Sequence, residues 1–97
     1  MKIEKLYIVE DFAEELNVYS LSDTNVFSGY IDYSEYTYVD GEEGDHGKIK
    51  YYDSNMNLMA IKNEYGGDSY EWYWTDGFKL FALEVLFVNI RNKADAL

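Results

Sequence analysis

The sequence contains neither cysteine nor proline, and its single histidine is His46. Without cysteine the chain can form no disulfide, no thiolate nucleophile and no zinc–thiolate site, and we expect a cytoplasmic location. A catalytic histidine needs a nucleophile and an orienting partner, and no recognisable motif supplies them here. We therefore expect His46 to be an exposed loop residue, and we expect no catalytic residue, no cofactor and no metal.

Long apolar runs are also missing. The longest, over Phe78–Ile90, is interrupted by Lys79, Glu84 and Asn89, whereas a helix needs roughly 20 apolar residues to cross a bilayer. The first ten residues lack the apolar core and the cleavage site of a signal peptide. We therefore expect no membrane association. A chain of 97 residues predicts one domain, spanning residues 1–97.

Basic residues are absent from a long stretch of the chain. Residues 6–47 contain eleven acids and no lysine or arginine, whereas residues 1–5 and 48–97 carry net charges of +1 and −1. The net charge of −11 therefore comes from this one stretch. Because like charges repel one another in a compact state, acids grouped in this way and left unneutralised indicate a function other than solubility.

Turn residues and hydrophobic periodicity predict an α+β fold. The architecture we expect is an antiparallel meander of three to five strands, with a short N-terminal helix and a C-terminal apolar helix packed on one face. The predicted elements are a strand over Lys2–Val9, a helix capped by Asp11 and ending near Asn17, strands over Tyr30–Val39, Lys48–Tyr52, Leu58–Tyr65 and Tyr70–Trp74, and a helix over Gly77–Lys93 capped by Thr75 or Asp76. A buried strand over Leu83–Ile90 is the alternative for the last segment, and its length favours the helix.

The side-chain pattern also predicts which faces are buried. In the strand Tyr30–Val39 the more apolar face, which we expect to turn inward, consists of Ile31, Tyr33, Glu35, Thr37 and Val39. Trp72 and Trp74 share a face and are interpreted as core aromatics. The last helix carries two apolar stripes on opposite sides, although packing on one sheet requires only one. The second stripe predicts burial against the N-terminal helix, or a homodimer through the C-terminal helix.

One segment partly matches a calcium loop. Asp53, Asn55, Asn57 and Glu64 occupy positions 1, 3, 5 and 12 of the EF-hand pattern. That loop requires glycine at its sixth position, where this chain has Leu58, and the preceding residues alternate as in a strand. We interpret the segment as a hairpin turn, and calcium binding is kept as an alternative.

Eleven tyrosines are too many for a core of this size to bury with their hydroxyls hydrogen-bonded. Surface tyrosines interleaved with carboxylates are typical of protein interfaces. The acids would repel phosphates, so we expect no direct binding of nucleic acid. They would instead suit the lysines and arginines of a basic, nucleic-acid-binding protein, which is the expected partner. The predicted partner-binding residues are Glu10, Asp11, Glu14, Glu15, Asp32, Tyr33, Glu35, Tyr36, Asp40, Glu42, Glu43 and Asp45.

In the segments VEDFAEEL and DYSEYTYVDGEEGD the chain resembles phage-encoded acidic DNA-mimic inhibitors of the anti-restriction and anti-CRISPR type. The resemblance is to a class of short, acidic, cysteine-free and tyrosine-rich chains that share no motif, so no residue role is transferred. It implies an inhibitor, acting in the host cytoplasm, that blocks the positively charged nucleic-acid-binding surface of a host defence or DNA-handling protein. The alternatives are an immunity protein or antitoxin that neutralises a basic nuclease, and a calcium-binding module.

Overall fold

The computed structural model describes residues 2–16 and 27–85. Within these residues, five strands form one antiparallel sheet in the order β1-β2-β3-β4-β5. The elements are β1 (Ile3–Leu6), α1 (Ile8–Glu15), β2 (Phe27–Thr37), β3 (His46–Asp53), β4 (Leu58–Tyr65) and β5 (Tyr70–Trp74), and a second helix, α2, covers residues 76–85. The predicted α+β meander with two helices is therefore confirmed.

The core lies between the two helices and one face of the sheet, which we call the helix side. The strand register places Ala60 and Trp74 on this face. Phe12 of α1 and Phe78 of α2 pack on the Trp74 ring, with centroids 5.3 and 5.1 Å away. Trp74 is buried in the core, as predicted. Trp72 is half-buried and stacks on Trp74 at 4.4 Å, at the edge of the core. The opposite face of the sheet is called the outer face.

The start of α1 differs from the prediction. The helix begins at Ile8, with Tyr7 at the N-cap position and no side-chain capping bond, so Asp11 lies inside the helix and does not cap it. Burial of Ile8 and Phe12 anchors the helix, because packing of the apolar side contributes more to a short helix than its cap does. Leu16, which follows the last helical residue, remains exposed. The predicted end at Asn17 lies outside the described residues.

The start of α2 agrees with the prediction. The Thr75 hydroxyl accepts a hydrogen bond from the Phe78 backbone N–H at 3.2 Å, as an N-cap should. Phe78 is fully buried, whereas Leu80 on the other apolar stripe is 73% exposed. The continuation to Lys93 lies outside the described residues, and the homodimer through this helix stays a prediction.

A β-bulge reverses the predicted inward face in the second half of β2, whereas Ile31, opposite Tyr51, lies on the helix side as predicted. Asp32 pairs with Lys50 and Glu35 pairs with Lys48, and the register shifts between these two pairs. An inserted residue reverses the alternation of side chains beyond it. As a result Glu35 lies on the outer face with Asp32, while Tyr36 lies on the helix side.

The residues that partly match a calcium loop form the β3–β4 hairpin turn and most of β4. One oxygen of the Asp53 carboxylate accepts hydrogen bonds from the backbone N–H groups of Asn55 and Asn57, both at 2.9 Å. The other accepts a bond from the Asn57 side chain at 3.0 Å. Glu64 lies near the far end of β4, about 20 Å along the strand from the turn. The four residues therefore do not converge, as the hairpin interpretation predicts.

Candidate functional site

A groove of about 600 Å³ occupies the part of the helix side that α1 and α2 leave uncovered. We call it the acidic groove. Its lining residues are Tyr36, Val39, Asp40, Gly41, Gly44, Asp45, Lys62, Glu64, Gly67, Asp68 and Tyr70. Four of them are acids and one is a lysine, so the groove carries a net negative charge.

A single cross-strand row builds the middle of the groove. Tyr36, Gly47, Glu64 and Tyr70 lie directly opposite one another on β2, β3, β4 and β5. Since neighbouring strands are about 4.8 Å apart, the two tyrosines stand roughly 14 Å from each other. Gly47 contributes no side chain between them. Its φ of 116° and the collision that a Cβ would make with the Glu35 carbonyl require glycine here.

Asp45 fixes one wall of the groove. Its two carboxylate oxygens accept hydrogen bonds from the Tyr36 hydroxyl at 2.8 Å and from the Val39 N–H at 2.9 Å. The Val39 bond and the Tyr36 bond hold the pKa of Asp45 below its usual value. Burial and the bond to Asp45 raise the pKa of Tyr36 to about 12. At neutral pH the wall therefore consists of a carboxylate anion and a neutral phenol.

Two loops form the rim. The β2–β3 loop and the β4–β5 loop are joined by a hydrogen bond from the Gly67 N–H to the Glu43 carbonyl at 3.1 Å. Asp40 and Asp68, one from each loop, are exposed at the groove. Neither forms an ion pair within the described residues. The loops therefore present two solvated carboxylates to an approaching partner.

Lys62 already places a cation in the groove. Its ammonium lies 3.0 Å from the Glu64 carboxylate and 4.5 Å from the centre of the Tyr70 ring. The Trp72 ring centre is 5.5 Å away. Aromatic faces attract cations through their quadrupole. The contacts of Lys62 indicate where a positively charged group is stabilised on this surface.

A smaller cavity of about 300 Å³, the side cavity, lies beside the groove and shares Tyr70 with it. α1 contributes Asp11, Glu14 and Glu15 to its lining. Burial raises the pKa of Asp11, and the Glu14 charge adds to the increase while Lys62 opposes it. Together the two cavities bring seven acids and one lysine to the same side of the molecule: Asp11, Glu14, Glu15, Asp40, Asp45, Glu64 and Asp68, with Lys62. Glu71 also lines the side cavity but is not counted among these seven acids. The strand register places Glu71 on the outer face, where its carboxylate accepts a hydrogen bond from the Tyr65 hydroxyl.

The structure separates the predicted partner-binding residues. Asp32 and Glu35 lie on the outer face, where Glu35 forms an ion pair with Lys50. That bond lowers the pKa of Glu35, and a hydrogen bond from the Ser34 N–H lowers the pKa of Asp32. The expectation that these acids are locally unneutralised is therefore wrong for Glu35.

The other predicted residues keep to the helix side or its rim. Asp11, Glu14, Glu15, Tyr36, Asp40 and Asp45 line the two cavities. Tyr33 packs 6.1 Å from Tyr36, ring centre to ring centre. Glu42 and Glu43 are exposed on the β2–β3 turn, and Glu10 is exposed on α1.

Four charged or aromatic residues of the groove were not predicted: Lys62, Glu64, Asp68 and Tyr70. They come from the carboxyl-terminal half, where acidic and basic residues nearly balance, so the charge run could not indicate them. For Glu64 and Tyr70 the signal that could have found them is strand register, because residues in the cross-strand row of Tyr36 share its face. Lys62 shares that face by alternation along β4, and Asp68 lies in the β4–β5 loop, which no register specifies.

No group of three or more histidines, aspartates or glutamates within the described part of the chain is arranged to hold a metal ion. No helix in residues 2–16 or 27–85 has the length and apolar character that crossing a membrane requires. We found no match for this chain among protein-family profiles, curated proteins or solved structures.

Proposed function

We propose that this chain is an acidic DNA-mimic inhibitor that occupies the positively charged nucleic-acid-binding surface of a host defence or DNA-handling protein. The observation that supports the proposal is the concentration of seven acids and one lysine on one side of the molecule, in the acidic groove and the side cavity. Fixed carboxylates on a folded surface attract a cationic surface over a long range and accelerate its association.

The amount of charge is suited to this role. Seven acids and one lysine leave six net negative charges, which equals the charge of about three base pairs of duplex DNA. Asp45 is held in place by two hydrogen bonds, so part of this charge is positioned before the partner arrives. Less conformational freedom is then lost on binding.

The tyrosines at the groove can make short-range contacts with a partner, in addition to the long-range attraction that the carboxylates exert. Tyr70 is 55% exposed and Tyr38, beside Tyr36, is 71% exposed. Tyr36 and Tyr38 pack edge to face at 4.8 Å. Rigid tyrosines bury large areas at a small entropic cost and are enriched in the contacts that dominate binding energy. We therefore assign the partner contact to the helix side and its rim.

The test is a capture experiment with a nucleic-acid competitor. The immobilised full chain is incubated with host-cell lysate, and bound protein is eluted with a duplex DNA of about 20 base pairs. We expect a basic nucleic-acid-binding protein to be retained and then released by the duplex, because both ligands require the same surface. Capture of a nuclease that loses its activity when bound would favour the immunity-protein alternative.

Two charge-matched variants control for net charge. The groove variant carries Asp40→Asn and Asp68→Asn, and the outer-face variant carries Asp32→Asn and Glu35→Gln. Each removes two negative charges, and we expect only the groove variant to lose capture. Equal capture by both variants, or a partner that the duplex fails to release, would contradict the proposal.

A further inference from the structure

We infer that the acidic groove selects arginine over lysine side chains of its partner, because a guanidinium can stack on Tyr70 while it bonds to the carboxylates around it. The inference rests on the proposed function and specifies the chemistry of the partner. The first observation behind it is the position of Lys62, whose ammonium lies over the Tyr70 ring and against Glu64. This part of the groove therefore already stabilises a cation.

The second observation is the open row beside that cation. Between Tyr36 and Tyr70 the row contains Gly47, which has no side chain, and Glu64. The adjacent wall carries the Asp45 carboxylate, which Tyr36 and Val39 hold in one orientation. Tyr70 lies among other carboxylates, because it lines the acidic groove with Asp68 and the side cavity with Glu14. A planar group stacked on the exposed part of its ring therefore meets carboxylate oxygens as well.

The third argument is chemical. A guanidinium is planar, weakly hydrated and able to donate two parallel hydrogen bonds to one carboxylate, and it stacks well on aromatic rings. A lysine ammonium is a compact, strongly hydrated charge that gains less from a ring. A surface made only of solvated carboxylates would attract both through charge alone. Tyrosines among the carboxylates therefore favour arginine.

The chain offers a matched pair of tyrosines for the test. Tyr70 and Tyr73 lie on the same strand, β5, and are 55% and 56% exposed. Their register places Tyr70 on the helix side opposite Glu64 and Tyr73 on the outer face opposite Ile61. Tyr70→Leu and Tyr73→Leu thus remove the same ring from the same strand on opposite faces.

The experiment measures the binding of fluorescent octa-arginine and octa-lysine to the full chain at about 150 mM salt, where long-range attraction is screened. We expect octa-arginine to bind about threefold or more tightly than octa-lysine, as an exposed cation–π contact would give. Tyr70→Leu should reduce the ratio of the two affinities to about one, and Tyr73→Leu should leave the ratio unchanged. Thermal melts followed by circular dichroism establish that both variants are folded.

The outcomes separate this inference from the proposed function. Equal binding of the two peptides, or equal effects of Tyr70→Leu and Tyr73→Leu, would overturn the arginine preference while leaving an acidic binding surface. Absence of binding by either peptide to the unmodified chain would contradict both. If Tyr70→Leu proves unfolded, Tyr70→Thr replaces it, because a β-branched side chain suits a strand and carries no ring. That variant must likewise abolish the preference for octa-arginine, and a preference that persists would overturn the inference.

Discussion

The two ends of the helix side are made from the same strands, yet they have opposite chemistry. At the covered end, Ala60, Trp74 and Phe78 are buried beneath the helices. At the open end, the strands continue past the helices and carry Glu64 and Tyr70 with the acidic loops around them. One sheet therefore supports a dry core at one end and a charged binding surface at the other. The difference implies that stability and partner binding can be changed separately.

The outer face extends this comparison. It carries Asp32 and Glu35 beside Lys48 and Lys50, and the ion pair between Glu35 and Lys50 neutralises charge there. The open end of the helix side carries more acids than the outer face does, and Lys62 is the lysine among them. Acids in the same stretch of sequence thus have different roles, depending on which face the fold gives them.

The largest expected effect is at the covered end. Phe78 has no exposed surface and lies 5.6 Å from Phe12 and 5.1 Å from Trp74, ring centre to ring centre. Phe78→Ala should lower the free energy of unfolding by about 3–5 kcal/mol through lost packing and a cavity. Urea denaturation followed by tryptophan fluorescence measures this loss.

The matched control is Leu80→Ala on the same helix, where the side chain is 73% exposed. It should change the free energy of unfolding by less than about 0.5 kcal/mol. A loss for Leu80→Ala as large as that for Phe78→Ala would mean that the buried side of α2 has been misassigned.

The next effect concerns the one lysine of the groove. Lys62→Met removes the ion pair with Glu64, whose side chain is only 15% exposed, and should lower the free energy of unfolding by roughly 0.5–1 kcal/mol. At the same time it should tighten octa-arginine binding by about twofold, because one repelling charge is lost. The two measurements therefore move in opposite directions, which a purely structural role would not produce.

Lys50→Met gives the charge-matched comparison on the outer face. It breaks the pair with Glu35 and changes the net charge equally, but we expect octa-arginine affinity to change less than for Lys62→Met. An equal increase in octa-arginine affinity for the two variants would show that binding depends on net charge alone and that the groove is not the binding site.

The sequence was sufficient to predict the strands, the order of elements and the place of Trp74 in the core, since alternation and turn residues are local signals. It was not sufficient to predict the composition of the groove. The bulge in β2 moves Glu35 to the outer face and Tyr36 to the helix side, and no local pattern specifies an inserted residue. Glu64 and Tyr70 join the groove through pairing between distant parts of the chain, which charge counting does not detect.

A smaller effect is expected at the side cavity. Burial raises the pKa of Asp11, and the negative charges of Glu14 and Glu10 on the same helix add to the increase. Asp11→Asn should therefore raise the melting temperature at pH 7 by roughly 1–4 °C. Because the pKa of Asp11 is raised in the folded state, low pH already protonates this carboxyl in the unmodified chain. Protonation removes the buried charge and its repulsion with the neighbouring acids, as the substitution does. The advantage of the variant should therefore decline as pH falls through that pKa and vanish near pH 3. An advantage that persists there would contradict this explanation.

The smallest effect is a difference in titration. Hydrogen bonds lower the pKa of Asp45, whereas burial raises that of Asp11. Carboxyl ¹³C resonances should therefore give a midpoint for Asp45 below that for Asp11. The stabilising contribution of Asp45 is complete above its unfolded-state pKa of about 3.9 and is lost as pH falls through the lower folded value. Tyr36→Phe should move the Asp45 midpoint upward, and an unchanged midpoint would show that the hydroxyl does not contribute.

The central claim is that a cationic partner contacts the open end of the helix side. The most direct measurement is NMR chemical-shift mapping of the ¹⁵N-labelled full chain during titration with octa-arginine. The account predicts that the largest amide shifts occur at Tyr36, Asp40, Asp68 and Tyr70, with small shifts at Lys48 and Tyr73 on the outer face. Largest shifts on the outer face, or shifts of similar size on both faces, would contradict it.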